Sequence, residues 1–199
     1  MKILLTAFEP FDNLNTNSSL EVLKQINIDN VVKEVLPVSY NQVKIKIKEL
    51  IDKHHPDFII NLGQAGGEIK LRIEKFAINY TRASIPDNDG TLKTKGEVFE
   101  GAPLALTTTL DLESIVDEAN IDQIDSYISL SAGGYICNSC YFSSLYLNDG
   151  NALFIHLPYL LNQVEGKSGV ELEILIKNTT YFIEKVIEKI MKTLSFDKN

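Results

Sequence analysis

The chain predicts an α/β fold of three layers, α/β/α, built on a mostly parallel, mixed central sheet. Short, predominantly apolar runs such as Phe58–Leu62 and Ala152–Leu157 are what strands covered on both faces require. Between such runs lie longer stretches with apolar residues three and four apart, the spacing of helices with one buried stripe. Strands alternating with helices imply a sheet packed on both sides.

Taken in order, Lys2–Thr6 reads as a buried first strand that runs into a loop containing Pro10 and several Asn residues. A helix follows near Ser18 or Ser19, since Ser caps helices well and Leu20, Val22, Leu23 and Ile26 fall at helical spacing. Val31–Val38 reads as a strand and Tyr40–His54 as a helix, with Val43, Ile45, Ile47, Leu50 and Ile51, closed before Pro56. After the strand at Phe58–Leu62, Ile69, Leu71 and Ile73 alternate with Lys70, Arg72 and Glu74, the pattern of a strand with one wet face. Thr81–Pro103 contains Pro86, Gly90, Gly96 and Gly101 and reads as a long loop. A helix near Leu112–Ala119, a strand around Tyr127–Leu130 and a helix from about Cys137 to Tyr146 come next. The buried strand Ala152–Leu157 then leads to a last helix, roughly Val170–Leu194, with Leu172, Leu175, Ile176, Ile183, Val186, Ile187 and Ile190 on one stripe.

No repeat, low-complexity tract or linker interrupts the 199 residues, a length suited to one domain spanning 1–199. The formal charge of −8 disfavours phosphate backbones and anionic membrane faces as partners. No apolar run reaches the roughly 18–20 residues that span a bilayer. Met1–Ala7 begins like an export signal, but Glu9, Pro10 and Asp12 interrupt it, so a cytoplasmic location is expected. In that compartment the two cysteines are expected as thiols.

Cys137 lies in Ser131-Ala132-Gly133-Gly134-Tyr135-Ile136-Cys137-Asn138. A strand enters, two glycines allow a sharp turn and a helix leaves, the logic of a nucleophile elbow. The helix start would lower the thiol pKa and favour the attacking thiolate. A small buried hydrophobe is an equal reading of the same residue. Cys140 gives a C-x-x-C spacing, open to a dithiol redox reading, although core packing one turn beyond Cys137 accounts for it as well. Zinc is disfavoured, for no second cysteine pair completes a coordination sphere.

His156 sits in the apolar segment Phe154-Ile155-His156-Leu157-Pro158-Tyr159. An imidazole there needs a hydrogen-bond partner, as a structural histidine or as a base. His54 and His55 fall at the end of a helix before Pro56 and read as partners of the helix dipole. A histidine base would therefore be His156. Glu74 reads either as a solvated carboxylate or as the group that orients His156 and stabilises its protonated form.

Five separated segments together resemble the pyroglutamyl peptidase I (pyrrolidone carboxyl peptidase) family. They are Leu5–Phe11; Asn61–Gly67; Ile73–Asn79 leading into Ile85–Gly90; Ser131–Asn138; and Phe154–Tyr159. The resemblance implies a phosphorylase/hydrolase-like α/β fold and a cysteine peptidase that removes N-terminal pyroglutamate from peptides. It implies a Glu–Cys–His triad at Glu74, Cys137 and His156, no metal or organic cofactor, a cytoplasmic location and a homotetramer. It further implies a lactam slot lined by Phe8, Phe11, Ile85, Tyr135 and Ile136, with Asn17 and Gln64 recognising the lactam or the peptide backbone. Core packing is the plainer reading of Phe8 and Phe11.

Three positions depart from the family pattern. Asp12-Asn13 replace a usual glycine pair, and both tolerate left-handed turns. Glu68 stands where Arg is frequent. Ser84 stands where the family commonly carries an Arg that assists the oxyanion, so the alternative expectation is a relative that binds pyroglutamyl ends without efficient cleavage. Arg82, two residues earlier in an extended segment and so on the same side, is the expected substitute.

Overall fold

The computed structural model describes residues 1–196. In chain order the elements are β1 (Ile3–Phe8), α1 (Ser18–Gln25), β2 (Val31–Leu36), α2 (Val43–His54), β3 (Phe58–Gln64), β4 (Leu71–Glu74) and β5 (Phe76–Ile78). They continue with β6 (Ala105–Thr107), α3 (Leu112–Ile121), β7 (Ser126–Ser129), α4 (Ile136–Leu147), β8 (Ala152–Leu157) and α5 (Leu172–Phe196). Six strands form the sheet in the order β2-β1-β3-β8-β4-β7. All neighbours pair in parallel except β4 and β8, which run antiparallel. The sheet is therefore mixed and mostly parallel, as the sequence predicts.

The two-residue period of each strand divides the core in two. Ile3, Leu5 and Ala7 of β1, with Leu153, Ile155 and Leu157 of β8, pack with α1, α3 and α5. Leu4, Phe8, Ala152 and Phe154 face the opposite way, toward α2 and α4. His156 has the parity of Phe154, and the two rings lie 4.7 Å apart. Gly63 pairs with His156 across the β3–β8 ladder. A methyl group at Gly63 would come within 2.6 Å of the Phe154 ring and 3.2 Å of His156 Cδ2.

Several sequence expectations change. The cap of α1 is Asn17, whose Oδ1 accepts from the Ser19 backbone N–H at 3.0 Å, while Ser18 and Ser19 are buried inside the helix. The helix expected from Tyr40 begins at Val43, and the last helix begins at Leu172. His54 does more than meet a helix end, since its Nε2 pairs with Glu34 Oε1 at 2.8 Å. The strand over residues 69–74 starts only at Leu71 and has no fully wet face: Arg72 is half-buried and Glu74 is 0% exposed. Pairing of β4 with β8 turns that face toward His156 instead of solvent. The short strands β5 and β6, paired antiparallel across a long loop, carry no alternation long enough to announce them.

Candidate active site

The turn between β7 and α4 needs both of its glycines, for different reasons. Gly133 has φ +81, a conformation that side chains disfavour. A methyl group on Gly134 would sit 2.9 Å from the backbone N and O of Arg82. The Gly134 carbonyl accepts from the Arg82 backbone N–H at 2.9 Å and from the Tyr40 hydroxyl at 3.0 Å. Helix α4 leaves this turn with Tyr135 as its cap, and neither a side-chain cap bond nor an acidic residue occupies its first turn. The first N–H groups of a helix have no intrahelical acceptor, so the positive end of α4 is open beside Cys137. Asn138 fixes the helix start by accepting from Ile78 N at 2.9 Å and donating to Ile78 O at 2.8 Å.

Cys137 is a half-buried free thiol. Burial, and then the nearby Glu74 carboxylate, push its pKa up to about 12, while Arg72 and the Cys137 backbone pull the other way. The expected lowering by the helix start is thus outweighed by desolvation, and the resting group is a thiol. Cys140 is fully buried in the core, where burial first and Cys137 second raise its thiol pKa well above the ordinary value. Nothing there favours a dithiol redox centre.

Register explains how β4 and β8 bring three polar side chains together. Arg72 lies directly opposite His156, and Glu74 opposite Phe154. Diagonal neighbours on one face of a sheet are in reach of long side chains. His156 Nδ1 lies 2.7 Å from Glu74 Oε1, and Arg72 Nε donates to the same oxygen at 2.8 Å. Arg72 also brings a terminal nitrogen within 3.2 Å of His156 Nδ1. Burial works to raise the Glu74 pKa, but the bond and charge of His156, then Ser129 and then the Arg72 charge, outweigh it and hold the carboxyl below its ordinary value. Burial is also the main influence on His156 and, helped by Arg72, keeps the imidazole below 6.5 despite Glu74. Near neutral pH the pair is a carboxylate and a neutral imidazole.

Cys137 also forms part of the wall of a slot lined by Phe8, Phe11, Asn17, Val38, Gln64, Tyr135 and Ile136. It encloses about 230 Å³ of atom-free space, part of it open to solvent. The Phe11 and Tyr135 rings lie 6.1 Å apart, and Tyr40 meets Tyr135 edge-on at 5.8 Å. Gln64 Oε1 accepts from Ser18 N at 2.7 Å and from Gln163 Nε2 at 2.7 Å. These two donors fix the amide orientation and leave Gln64 Nε2 buried without a partner among the described residues. Asn17 reaches the wall but spends its polar atoms on the Glu9 carbonyl and on Ser19. Ile85 is absent from the wall, and Val38 stands there instead. The loop of Ile85 contributes through its backbone, because the Pro86 carbonyl accepts from the Tyr135 hydroxyl at 3.0 Å.

The sequence profile of the pyroglutamyl peptidase family matches residues 1–191. The chain belongs to the pyroglutamyl peptidase family. This is a cysteine peptidase family. Pyrrolidone-carboxylate peptidase of Coprothermobacter proteolyticus is 37% identical, over 96% of this chain and 99% of that protein. The Thermococcus kodakarensis protein of the same name is 34% identical, over 96% and 98%. The solved pyrrolidone carboxyl peptidase of Thermococcus litoralis superposes with a TM-score of 0.88 at 31% identity, covering 96% of each chain.

At the departures from the family pattern, Asp12 and Asn13 both take left-handed conformations, φ 54 and φ 58, which these residue types tolerate without glycine. Glu68 accepts from the Tyr127 hydroxyl at 2.6 Å. Ser84 is exposed. Arg82 is also exposed, with its backbone against the elbow, and among the described residues its guanidinium forms no ion pair. Sequence reasoning missed Val38, Gln163 and the contact of Arg72 with His156. Only Arg72 left a signal, its i, i+2 spacing from Glu74. Among the described residues no three or more His, Cys, Asp or Glu cluster to hold a metal ion, and no helix is long and apolar enough to cross a membrane.

Proposed function

We propose that this chain hydrolyses the amide bond after an N-terminal pyroglutamyl residue of peptides, using Cys137 as nucleophile, His156 as base and Glu74 as the group that orients His156. One observation carries the substrate assignment. The slot beside Cys137 is apolar and aromatic, and among the described residues the buried side-chain donor in its wall without a partner is Gln64 Nε2. Pyroglutamate is a flat, uncharged lactam with a carbonyl acceptor, which matches an apolar wall carrying a single amide donor.

The chemistry follows from the resting protonation states. An ionised carboxylate only accepts, so the proton between Glu74 and His156 belongs to Nδ1, and Nε2 carries the lone pair. As the Cys137 sulfur attacks the pyroglutamyl carbonyl, its proton passes to His156 Nε2. The imidazolium formed is stabilised by Glu74. The carbonyl oxygen, gaining negative charge, meets the open N–H groups at the start of α4, including that of Cys137. Collapse expels the amine with the proton from His156 and leaves a thioester. Water, deprotonated by His156, releases pyroglutamate and restores the thiol.

A fluorogenic pyroglutamyl amide tests this, with alanyl and prolyl amides as controls. The pyroglutamyl compound is cleaved selectively, Cys137→Ala abolishes turnover and Cys140→Ala retains it. Wild-type turnover by Cys137→Ala, or equal cleavage of the controls, overturns the assignment. The family resemblance further supports a cytoplasmic location and a homotetramer, and light scattering of the purified chain measures the assembly.

A further inference from the structure

We propose that Arg72 is a positioning residue for the acid–base pair: its guanidinium spans the Glu74 carboxylate and the His156 ring, holding the carboxylate ionised and the imidazole neutral with Nε2 open to accept a proton. This rests on the reading of Glu74 and His156 as the pair that serves Cys137.

Arg72 is the cross-strand partner of His156, so the two side chains leave the sheet side by side on the same face. Its Nε donates to Glu74 Oε1 at 2.8 Å, the oxygen that His156 Nδ1 also meets at 2.7 Å. The terminal nitrogen 3.2 Å from Nδ1 cannot donate there, because that ring nitrogen already carries the proton shared with the carboxylate. It acts as a positive charge held against the ring.

Glu74 is 0% exposed, and its Oε2 has no partner among the described residues. Among those residues Arg72 is the one cation acting on Glu74 or His156. The other titratable groups around the cluster are Cys137 and Tyr141 of α4, and Tyr127 of β7 with its partner Glu68. With Arg72 present, one positive and one negative charge cancel and the imidazole need not ionise. With Arg72 removed, a buried carboxylate is left uncompensated, and the cluster takes up a proton. If the imidazole binds it, the base is lost at pH values where the native ring is neutral.

The test compares wild type, Arg72→Gln and Arg72→Lys by the pH dependence of kcat/KM on the pyroglutamyl amide and by NMR titration of the His156 ring. In Arg72→Gln the acid limb and the ring titration both move to higher pH. Its loss relative to wild type is roughly tenfold greater at about pH 6 than at about pH 8. Arg72→Lys keeps the charge but not the fork, so its limb stays near wild type under a lower ceiling. Arg72→Met, which keeps the aliphatic stem, carries the same expectation as Arg72→Gln should that variant not fold. A limb and ring titration that coincide with wild type in the uncharged variants overturn the proposal, even where the rate falls at every pH. Absence of wild-type turnover would defeat the peptidase reading alone, because the ring titration still decides the role of Arg72.

Discussion

Gln163 donates through Nε2 to Gln64 Oε1 across 2.7 Å, tying the loop after β8 to the end of β3. Gln163 is itself held, donating to the Thr16 carbonyl at 3.0 Å and accepting from Leu160 N at 2.8 Å. The bond points the Gln64 amide, so the two residues have unequal roles. If Gln64 is the lactam donor proposed above, Gln64→Ala raises KM for the pyroglutamyl amide by about 10- to 100-fold, the worth of one buried hydrogen bond left unmade. Gln163→Ala leaves Ser18 N still bonded to Gln64 and raises KM only about threefold. Steady-state kinetics on both variants measure the contrast, and equal effects would contradict it.

The pH dependence follows from two directions. His156 must be neutral to accept the thiol proton, and its pKa lies below 6.5 because the ring is buried. The acid limb of kcat/KM therefore falls below pH 6.5. Burial pushes the Cys137 thiol up to about 12, so turnover holds through mildly alkaline pH and iodoacetamide reacts slowly with the free enzyme near neutrality. Stability shares the acid edge. At both Glu74 and His156 the unfolded chain binds protons more readily than the folded one, so stability is present above the unfolded pKa values and is lost as pH falls through the lower folded values. A rate profile with its acid limb above 7 would contradict this.

Gly63→Ala tests the crowding behind the base. The new methyl group meets the Phe154 ring at 2.6 Å and His156 Cδ2 at 3.2 Å. Overpacking of this kind costs about 1–3 kcal/mol, and a displaced ring would lower turnover if His156 serves as the proposed base. Denaturant unfolding reads the first effect and kcat the second. A variant with wild-type stability and kcat would show that the ladder at Gly63 yields freely.

Arg82 is the expected source of positive charge near the oxyanion, in place of the family's Arg at the position of Ser84. Its exposed guanidinium forms no ion pair among the described residues, and its backbone abuts the turn that presents Cys137. Arg82→Ala lowers kcat by about 10²-fold with little change in KM, the pattern of a donor used in the transition state. An unchanged kcat removes Arg82 from the mechanism.

Local features of the fold were legible in the sequence. The elbow is one contiguous segment, and the α5 stripe is a single helical period, so each could be read without knowledge of the rest. The burial of Glu74 was not. It depends on an antiparallel pairing with a strand 82 residues away, while the local alternation of charged and apolar residues suggests a wet face. The Asn17 cap was hidden for a related reason: either following serine could have capped α1 equally well, and the sequence does not say which is already inside the helix. Ile85 was placed by resemblance and not by contact, whereas Val38 enters the slot wall at the exit of β2. Gln163 sits in an irregular loop whose partner 99 residues earlier no spacing rule could name.

The reversed direction of β4 divides the molecule into parts with different freedom to change. Glu74, Arg72 and His156 all hang from one rigid backbone ladder, so their mutual geometry survives unless the sheet itself shears. Phe11, Val38 and Tyr135 stand on turns and strand exits, where insertions and substitutions are tolerated. Such an arrangement lets descendants of this scaffold drift in what they grip while the proton-handling machinery stays inherited intact.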